Sequence, residues 1–168
     1  MRKRICLAVV VGLMIVCAAA VLWMQKSTAG HYTITEPYEY TLIRGSEEWF
    51  EMNDRERVGA YSVPDEVISA MTTRALLETV IANPFFVDLS VIEFETIGAQ
   101  AVYDVNIDGL EELLNREDFE QILLEYSTDD FSAFKALGEE NAEKRMQLVQ
   151  HRVELLKRIW VFLDAANE

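Results

Sequence analysis

Cysteine is nearly missing from this chain of 168 residues, and its two examples, Cys6 and Cys17, lie in one apolar run near the N terminus. The remainder therefore forms no disulfide and offers no thiolate nucleophile. Histidine is equally scarce, with His31 and His151 alone. The sequence has no zinc-spaced cluster, Gly-x-Ser-x-Gly motif, phosphate-binding glycine loop or His-Glu-x-x-His motif. These absences remove the common sequence signatures of an enzyme.

Basic residues are few once the first four residues are set aside. Three of the 15 Lys and Arg residues are Arg2, Lys3 and Arg4, so 12 follow the apolar run, against 29 Asp and Glu, which gives a formal charge of −17. Such a surface repels nucleic-acid phosphates and anionic lipid headgroups. We therefore expect no nucleic-acid partner, and a soluble domain that stays off the membrane surface.

The apolar run from Ile5 to Met24 contains twenty residues and no charge. A helix of that length spans roughly 30 Å, the thickness of a bilayer's hydrocarbon core. The cations before the run predict a cytoplasmic N terminus, and Trp23 suits the outer interface. A cleaved secretory signal is the alternative, because Ala18-Ala19-Ala20 and Ser27-Thr28-Ala29 both supply small residues for cleavage. Either kind of leader, within residues 1–29, leaves the rest outside the cytoplasmic membrane, tethered to it or secreted.

Cys17 suggests a third possibility, lipid attachment, because Leu13-Met14-Ile15-Val16-Cys17 partly matches a bacterial lipobox. Val16 is bulky where a small residue is expected. The residues that follow Cys17 are apolar, whereas a lipidated protein normally begins with a polar tether. An ordinary small hydrophobe within a membrane segment explains Cys17 better.

Residues 30–44 predict an extended aromatic arm. Apolar and aromatic side chains occupy alternate positions here, at Tyr32, Ile34, Tyr38, Tyr40 and Leu42. Pro37 restricts the segment to a sheet edge or to an arm lying along the domain. A packed aromatic face is the ordinary interpretation. The functional alternative is an exposed platform of Tyr32, Tyr38 and Tyr40 that binds a glycan or a protein.

Residues 45–168 predict one all-α exported domain, a compact array of short helices closed by a long C-terminal helix. We predict helices from Glu47 to about Val58, from Pro64 to Ala70, from Thr72 to the residue before Pro84, over Phe85 to Ile97, from Gly109 to Asn115, from Asp118 to Ser127, from Thr128 to Gly138 and from about Glu139 to Ala165. Over 85–97 an alternating strand fits about equally well, and the helical neighbours favour helix. The last helix has a broad apolar face, which favours packing within the domain over a coiled-coil dimer.

The segment Asp104-Val105-Asn106-Ile107-Asp108-Gly109 matches the first half of an EF-hand calcium loop, with Asp104, Asn106 and Asp108 as oxygen ligands. The second half departs from that pattern, because Glu111 and Asn115 stand where an apolar residue and a bidentate acid are expected. Asp108 and Glu111 also match a capping box that would begin the next helix. Weak calcium binding at 104–109 is therefore an alternative to a purely structural helix start. We expect no other metal and no cofactor.

Catalytic groups are sparse. His151 lies about 200° around its helix from Val149, on the face away from the core. The acidic pairs Glu47-Glu48, Glu111-Glu112 and Asp129-Asp130 stand near predicted helix starts, where the helix dipole favours them. We expect no enzyme, and a carboxylate-based hydrolase is the remaining catalytic alternative.

Several short motifs follow one another between Gly45 and Tyr126. They are Gly45-Ser46-Glu47-Glu48-Trp49, Val63-Pro64, Met71-Thr72-Thr73, Ala75-Leu76, Thr79-Val80, Pro84, Asn106, Gly109-Leu110, Glu112-Leu113, Arg116, Asp118, Leu123-Leu124 and Tyr126. Their order resembles a family of uncharacterised exported helical proteins of gut-associated Gram-positive bacteria. The resemblance implies a signal-bearing helical protein and supplies no activity and no catalytic residue. The chain departs from the pattern at Asn106-Ile107-Asp108-Gly109, where a tighter Asn-Gly is expected.

Location, charge and helical pattern together predict an extracytoplasmic, non-enzymatic binding or structural module. Its N-terminal segment would hold it at the membrane if that segment is retained. The sequence leaves open the ligand, protein or glycan, and the oligomeric state.

Overall fold

Ten α-helices lie in the part of the chain that the computed structural model describes, residues 32–127, 134, 137 and 142–166. They are α1 (Glu47–Glu51), α2 (Asp54–Ala60), α3 (Asp65–Ala70), α4 (Thr73–Ala82), α5 (Phe86–Leu89), α6 (Phe94–Ile97), α7 (Gln100–Tyr103), α8 (Leu110–Leu114), α9 (Phe119–Leu124) and α10 (Ala142–Ala166). No strand occurs among these residues, as expected for an all-α protein.

Several sequence predictions fall outside the described residues. They concern the leader at 1–29 with Cys17, the first two residues of the predicted arm, and most of the helix predicted from Thr128 to Gly138. Within the described ranges, no helix combines the length and the apolar character needed to cross a bilayer.

The helix predicted from Glu47 to Val58 is divided into α1 and α2. Ser46 begins α1 as predicted, since its side chain accepts a hydrogen bond from the Trp49 amide. Asn53 then begins a second helix through a capping box, in which Asn53 Oδ1 accepts from the amide of Glu56 and Glu56 Oε2 accepts from the amide of Asn53. This reciprocal pair satisfies two helix-end amides, so the chain starts α2 rather than continuing α1.

Helix α4 is the centre of the domain and packs against α5, α8, α9 and α10. Thr72 begins it as predicted, because its hydroxyl accepts from the Ala75 amide. The predicted apolar stripe is fully buried, with no exposure at Leu76, Leu77, Val80 and Ile81. Since α4 is covered on several sides, its buried polar groups need hydrogen-bond partners from other parts of the chain.

The ambiguous segment 85–97 forms two single helical turns, α5 and α6, with no strand. Phe86, Leu89 and Phe94 are buried, whereas Val87 and Val91 are exposed. The alternating pattern that suggested a strand therefore does not match the buried face. The prediction of helix rather than strand is confirmed for this segment, although it forms two separate helical turns instead of one helix.

The capping box predicted at Asp108 and Glu111 is wrong. Gly109 occupies the position before α8 in a left-handed conformation, with φ of 81°, and no side chain caps the helix. Asp108 is used elsewhere, because its carboxylate bonds to Ser62 and Val63. A Cβ at Gly109 would lie 2.7 Å from Leu76 Cδ1, so close packing also requires glycine here.

Helix α10 is the long C-terminal helix that its apolar pattern predicts, and residues 139–141 of the predicted start lie outside the described ranges. Its buried face includes Val149, Leu156 and Ile159. This face packs against α4 and α9 of the same chain. Packing within the domain therefore covers it.

The arm from Tyr32 to Ile43 lies along α3 and α4 without forming a strand. The amides of Thr33 and Ile34 both donate to the Ala70 carbonyl, and the Thr72 amide donates to the Ile34 carbonyl. These bonds give one isolated parallel bridge between Ile34 and Met71. Further along, the Tyr38 amide donates to Thr79 Oγ1 at 2.8 Å.

Candidate functional site

The predicted exposed platform of Tyr32, Tyr38 and Tyr40 does not form. Tyr40 is only 4% exposed and lies in the core. Its hydroxyl donates to the Thr79 carbonyl oxygen and accepts from Asn83 Nδ2, and burial raises its pKa. Tyr38 is half-buried and packs edge-to-face against Tyr40, with ring centroids 5.3 Å apart. The packed-face interpretation is the correct one, because the alternating aromatics turn inward onto α4.

Tyr32 is 38% exposed, but it too has a structural contact. Its ring lies 4.4 Å from the guanidinium carbon of Arg116. That guanidinium is buried and donates to the carbonyl oxygens of Met71 at 2.6 Å and Ile68 at 3.1 Å, and to Glu112 Oε1. Arg116 therefore satisfies the C-terminal carbonyls of α3, and Tyr32 shields it from solvent.

The predicted calcium ligands are not arranged as a metal site. Asp108 Oδ2 accepts 2.8 Å hydrogen bonds from Ser62 Oγ and the Val63 amide. Asp104 Oδ1 instead accepts from Gln100 Nε2. A cavity of about 280 Å³ lies beside residues 103–111, including Asn106. Across the described residues, no group of three His, Cys, Asp or Glu side chains is placed to hold a metal ion.

The side chains considered for catalysis are dispersed. His151 is exposed on α10, as predicted, and His31 lies outside the described residues. Glu47 and Glu48 are exposed in the first turn of α1, and the acids of the Glu111-Glu112 pair are exposed in the first turn of α8. Asp129 and Asp130 also fall outside the described ranges. The structure brings none of the described candidates together.

A cavity that the sequence did not predict lies at the C-terminal end of α4. Its volume is about 270 Å³, and it is lined by Arg44, Pro84, Val87, Leu137, Leu148 and Arg152. Four of these side chains are apolar and two are guanidinium groups. This combination of an apolar wall with convergent polar groups is typical of small-molecule sites.

Arg152 supplies the deeper guanidinium. It is 5% exposed, and its Nη1 donates to the carbonyl oxygens of Ile81 at 2.5 Å and Asn83 at 2.8 Å. The guanidinium carbon lies 5.1 Å from the centre of the Phe86 ring. Among the residues that the structure describes, no carboxylate forms a salt bridge with it. Burial, together with the nearby charge of Arg44, lowers the pKa of Arg152 to about 10.

Arg44 supplies the second guanidinium, from the end of the arm. Its Nη1 donates to the Pro84 carbonyl oxygen at 2.7 Å. Its Nη2 lies 3.8 Å from Asp88 Oδ1, beyond hydrogen-bonding distance, and both side chains are partly exposed. The aromatic rings of Trp49 and Phe85 lie 6.0 and 5.8 Å from its guanidinium carbon. Main-chain carbonyls at the end of α4 therefore position both arginines.

The sequence held one signal for this cavity. Arg152 follows Val149 by three residues and precedes Leu156 by four, so it occupies the apolar stripe of α10. A cation at such a position must be buried or bend out of the interface. Arg44 carried no comparable signal, because its role depends on how the arm folds against α4.

A second polar cluster joins α4 to the end of α9. Arg74 Nε lies 3.3 Å from Glu78 Oε1, and Arg74 Nη2 donates to the Ser127 carbonyl oxygen. The same guanidinium lies over the Tyr126 ring at 5.3 Å. Burial raises the pKa of Glu78, although Arg74 opposes the shift. The ion pair lies within α4, and the hydrogen bond from Arg74 to Ser127 connects α4 to the segment that follows α9.

Comparison with protein-family models, with curated proteins and with solved structures finds no match to this chain.

Proposed function

We propose that this chain is a non-enzymatic binding module that works outside the cytoplasmic membrane, tethered by its N-terminal segment or released from it. The cationic prefix and the twenty-residue apolar run that follows it support this location. The cysteine-free remainder suits an oxidising exterior, since it has no thiol to oxidise. The motif order between Gly45 and Tyr126, which resembles exported helical proteins, also supports it.

The use of polar side chains to join segments of the fold is the observation that carries the choice of module over enzyme. Arg116 bonds to the carbonyls that end α3, and Asp108 bonds to Ser62 and Val63. Asp118 Oδ1 accepts a 2.6 Å hydrogen bond from Thr73 Oγ1 at the start of α4. Each of these contacts joins two segments of the fold. Catalytic groups would instead converge on one cavity.

The cavity between Arg44 and Arg152 supports a binding role. Main-chain carbonyls at and just after the end of α4 hold both guanidinium groups, so they are positioned before any ligand arrives. Binding sites on preorganised groups lose less conformational entropy when the ligand binds. The domain therefore has a preorganised place for recognition, and the described residues that line it include no acid–base pair.

Fractionation of cells that express the full chain, with determination of the N-terminal residue, tests this function. Met1 in the membrane fraction would show a retained tether, and a new N terminus at Gly30 in the medium would show release. Full-length chain recovered as soluble protein from the cytosol would contradict the proposal.

A further inference from the structure

We propose that the cavity at the C-terminal end of α4 binds a monocarboxylate with a short apolar tail, its carboxylate between Arg44 and Arg152 and its tail against Pro84, Val87 and Leu148. This inference deepens the proposed binding function and rests on it. The carboxylate could belong to a fatty acid or to the C terminus of a peptide, since both present the same chemistry.

The charge of the cavity selects an anion. Arg44 and Arg152 line one cavity, and neither forms a short ion pair with a described carboxylate, the nearest being Asp88 at 3.8 Å from Arg44. Their mutual repulsion contributes to the lowered pKa of Arg152. A ligand carboxylate between them would remove this repulsion and accept charge-assisted hydrogen bonds from both. Arginine suits this role because its planar donors match the geometry of a carboxylate.

The walls select an apolar tail. Pro84, Val87, Leu137 and Leu148 supply the rest of the lining, and Val87 is 41% exposed. A tail that covers these side chains would remove apolar surface from water, which acetate or inorganic phosphate cannot do. The volume of about 270 Å³ accommodates a small molecule or a single peptide residue rather than a folded partner.

The charge of the whole domain limits the ligand further. The residues after Met24 carry a formal charge of −17, so the surrounding surface repels anions in general. A polyanion would meet this repulsion along its whole length. A single carboxylate meets it once and is compensated by two local cations, which favours a monoanion.

The Asp88 carboxylate would compete with a ligand carboxylate for the Arg44 guanidinium. Its Oδ1 lies 3.8 Å from Arg44 Nη2, and both side chains are accessible to solvent. Exposed pairs at this distance contribute little to stability. Replacement of Asp88 by Asn should therefore keep the fold and leave the Arg44 guanidinium more available to a ligand.

Titration calorimetry on the purified chain, as recovered from the producing cells, tests the inference with hexanoate and N-acetyl-leucine as probes. Hexanol, hexylamine and acetate are the comparisons that lack the charge, reverse it or lack the tail. We expect saturable binding at one site for hexanoate, N-acetyl-leucine or both, with each comparison at least tenfold weaker. The tighter of the two probes identifies the source of the carboxylate. Absence of saturable binding by both probes overturns the inference.

Variants locate the binding. Arg44→Gln should weaken binding of the tighter probe roughly tenfold or more, and Asp88→Asn should strengthen it. Arg152 is a buried helix cap, and removing its charge would disturb the fold as well as the cavity. Arg152→Lys keeps the charge and is therefore the variant used at this position, beside Arg44→Gln. The control is Arg158→Gln, because Arg158 is exposed on α10 and pairs with Glu95. Equal affinity in Arg44→Gln and the control would overturn the site.

The outcome is separable from the proposed function. Calorimetry does not depend on where the cell places the chain, so failure of the titration leaves the extracytoplasmic location standing. Recovery of the chain from the cytosol would overturn the location and leave the measured affinity as it is.

Discussion

Arg116 Nη1 donates a 2.6 Å hydrogen bond to the main-chain carbonyl oxygen of Met71. The same guanidinium reaches the Ile68 carbonyl, so a side chain that follows α8 closes the C-terminal end of α3. Arg152 does the same for α4 from the long helix α10. In both places a buried cation meets the negative end of a helix dipole, and short helices are held together by their ends.

Replacement of Arg116 by Met keeps much of the side-chain volume and removes every donor. The carbonyls of Ile68 and Met71 would then be buried without these partners, so we expect the free energy of unfolding to fall by about 2 kcal/mol or more. Urea denaturation measures this loss. Arg158→Met, at an exposed arginine, should change the value by less than about 0.5 kcal/mol. Equal losses in the two variants would show that Arg116 is not a helix cap.

Thr79 fixes the arm to α4, because Thr79 Oγ1 accepts from the Tyr38 amide and donates to the Ala75 carbonyl. Thr79→Val removes the acceptor at nearly constant shape and should cost about 1–3 kcal/mol. Hydrogen exchange at the Tyr38 amide should become faster in this variant. Thr79→Ser keeps the hydroxyl and should retain protection at Tyr38, even if the lost methyl group lowers stability. Unchanged exchange in Thr79→Val would contradict the account of the arm.

We expect alanine substitution at two glycines to change the stability of the domain in opposite directions. Gly109 has φ of 81°, and a Cβ there would lie 2.7 Å from Leu76 Cδ1, so Gly109→Ala should destabilise the domain by about 1–3 kcal/mol. Gly59 lies within α2, and no described side chain comes within 4 Å of the place that a Cβ would take, so Gly59→Ala should stabilise by about 0.5–1 kcal/mol. Thermal denaturation of the two variants checks the difference in sign. A stabilising Gly109→Ala would mean that α8 begins differently.

Stability should depend on pH through Glu78. Burial raises its pKa above the ordinary 4.5, so the folded state holds this proton more tightly than the unfolded chain. As pH rises from 4.5 through the folded pKa, Glu78 therefore lowers the stability of the native protein. Glu78→Gln cannot titrate, and its free energy of unfolding relative to the native chain should increase over that window. Urea denaturation at a series of pH values measures the trend.

Glu95 is the matched control for Glu78. Its own main-chain amide and the Arg158 guanidinium lower its pKa, so its stabilising contribution is present above the ordinary value and is lost as pH falls through the folded pKa. Glu95→Gln should therefore lose stability relative to the native chain at neutral pH, and the deficit should shrink in acid. Parallel trends for the two variants would rule out burial as the cause of the Glu78 effect.

Local signals were sufficient for much of the fold. Ser46 and Thr72 cap helices where the sequence places them, because side-chain capping depends on neighbouring residues, and Pro64 stands directly before α3. The apolar spacing of α4 and α10 also predicts their buried faces. Helix ends that depend on a distant partner were missed, as at Asp108, whose carboxylate bonds to Val63 across the fold.

The position of the candidate cavity could not be predicted from local signals for the same reason, although Arg152 in the apolar stripe of α10 indicated a buried cation. Arg44 and Arg152 are far apart in sequence, and they meet because both bond to carbonyls at the end of α4. The prediction of an exposed tyrosine platform was wrong for a related reason. Alternation shows that Tyr38 and Tyr40 share a face, but it does not show whether that face turns to solvent or to the core. Only the position of α4 beneath the arm decides this.

The most direct test of the account is labelling of a single introduced thiol. His151 is exposed on α10, and the chain has no cysteine after Cys17, so His151→Cys provides one accessible reporter in the domain. A membrane-impermeant maleimide should label this variant in intact cells or in the medium, while the parent chain stays unlabelled under the same conditions. Labelling of His151→Cys only after the cells are lysed would contradict an extracytoplasmic domain.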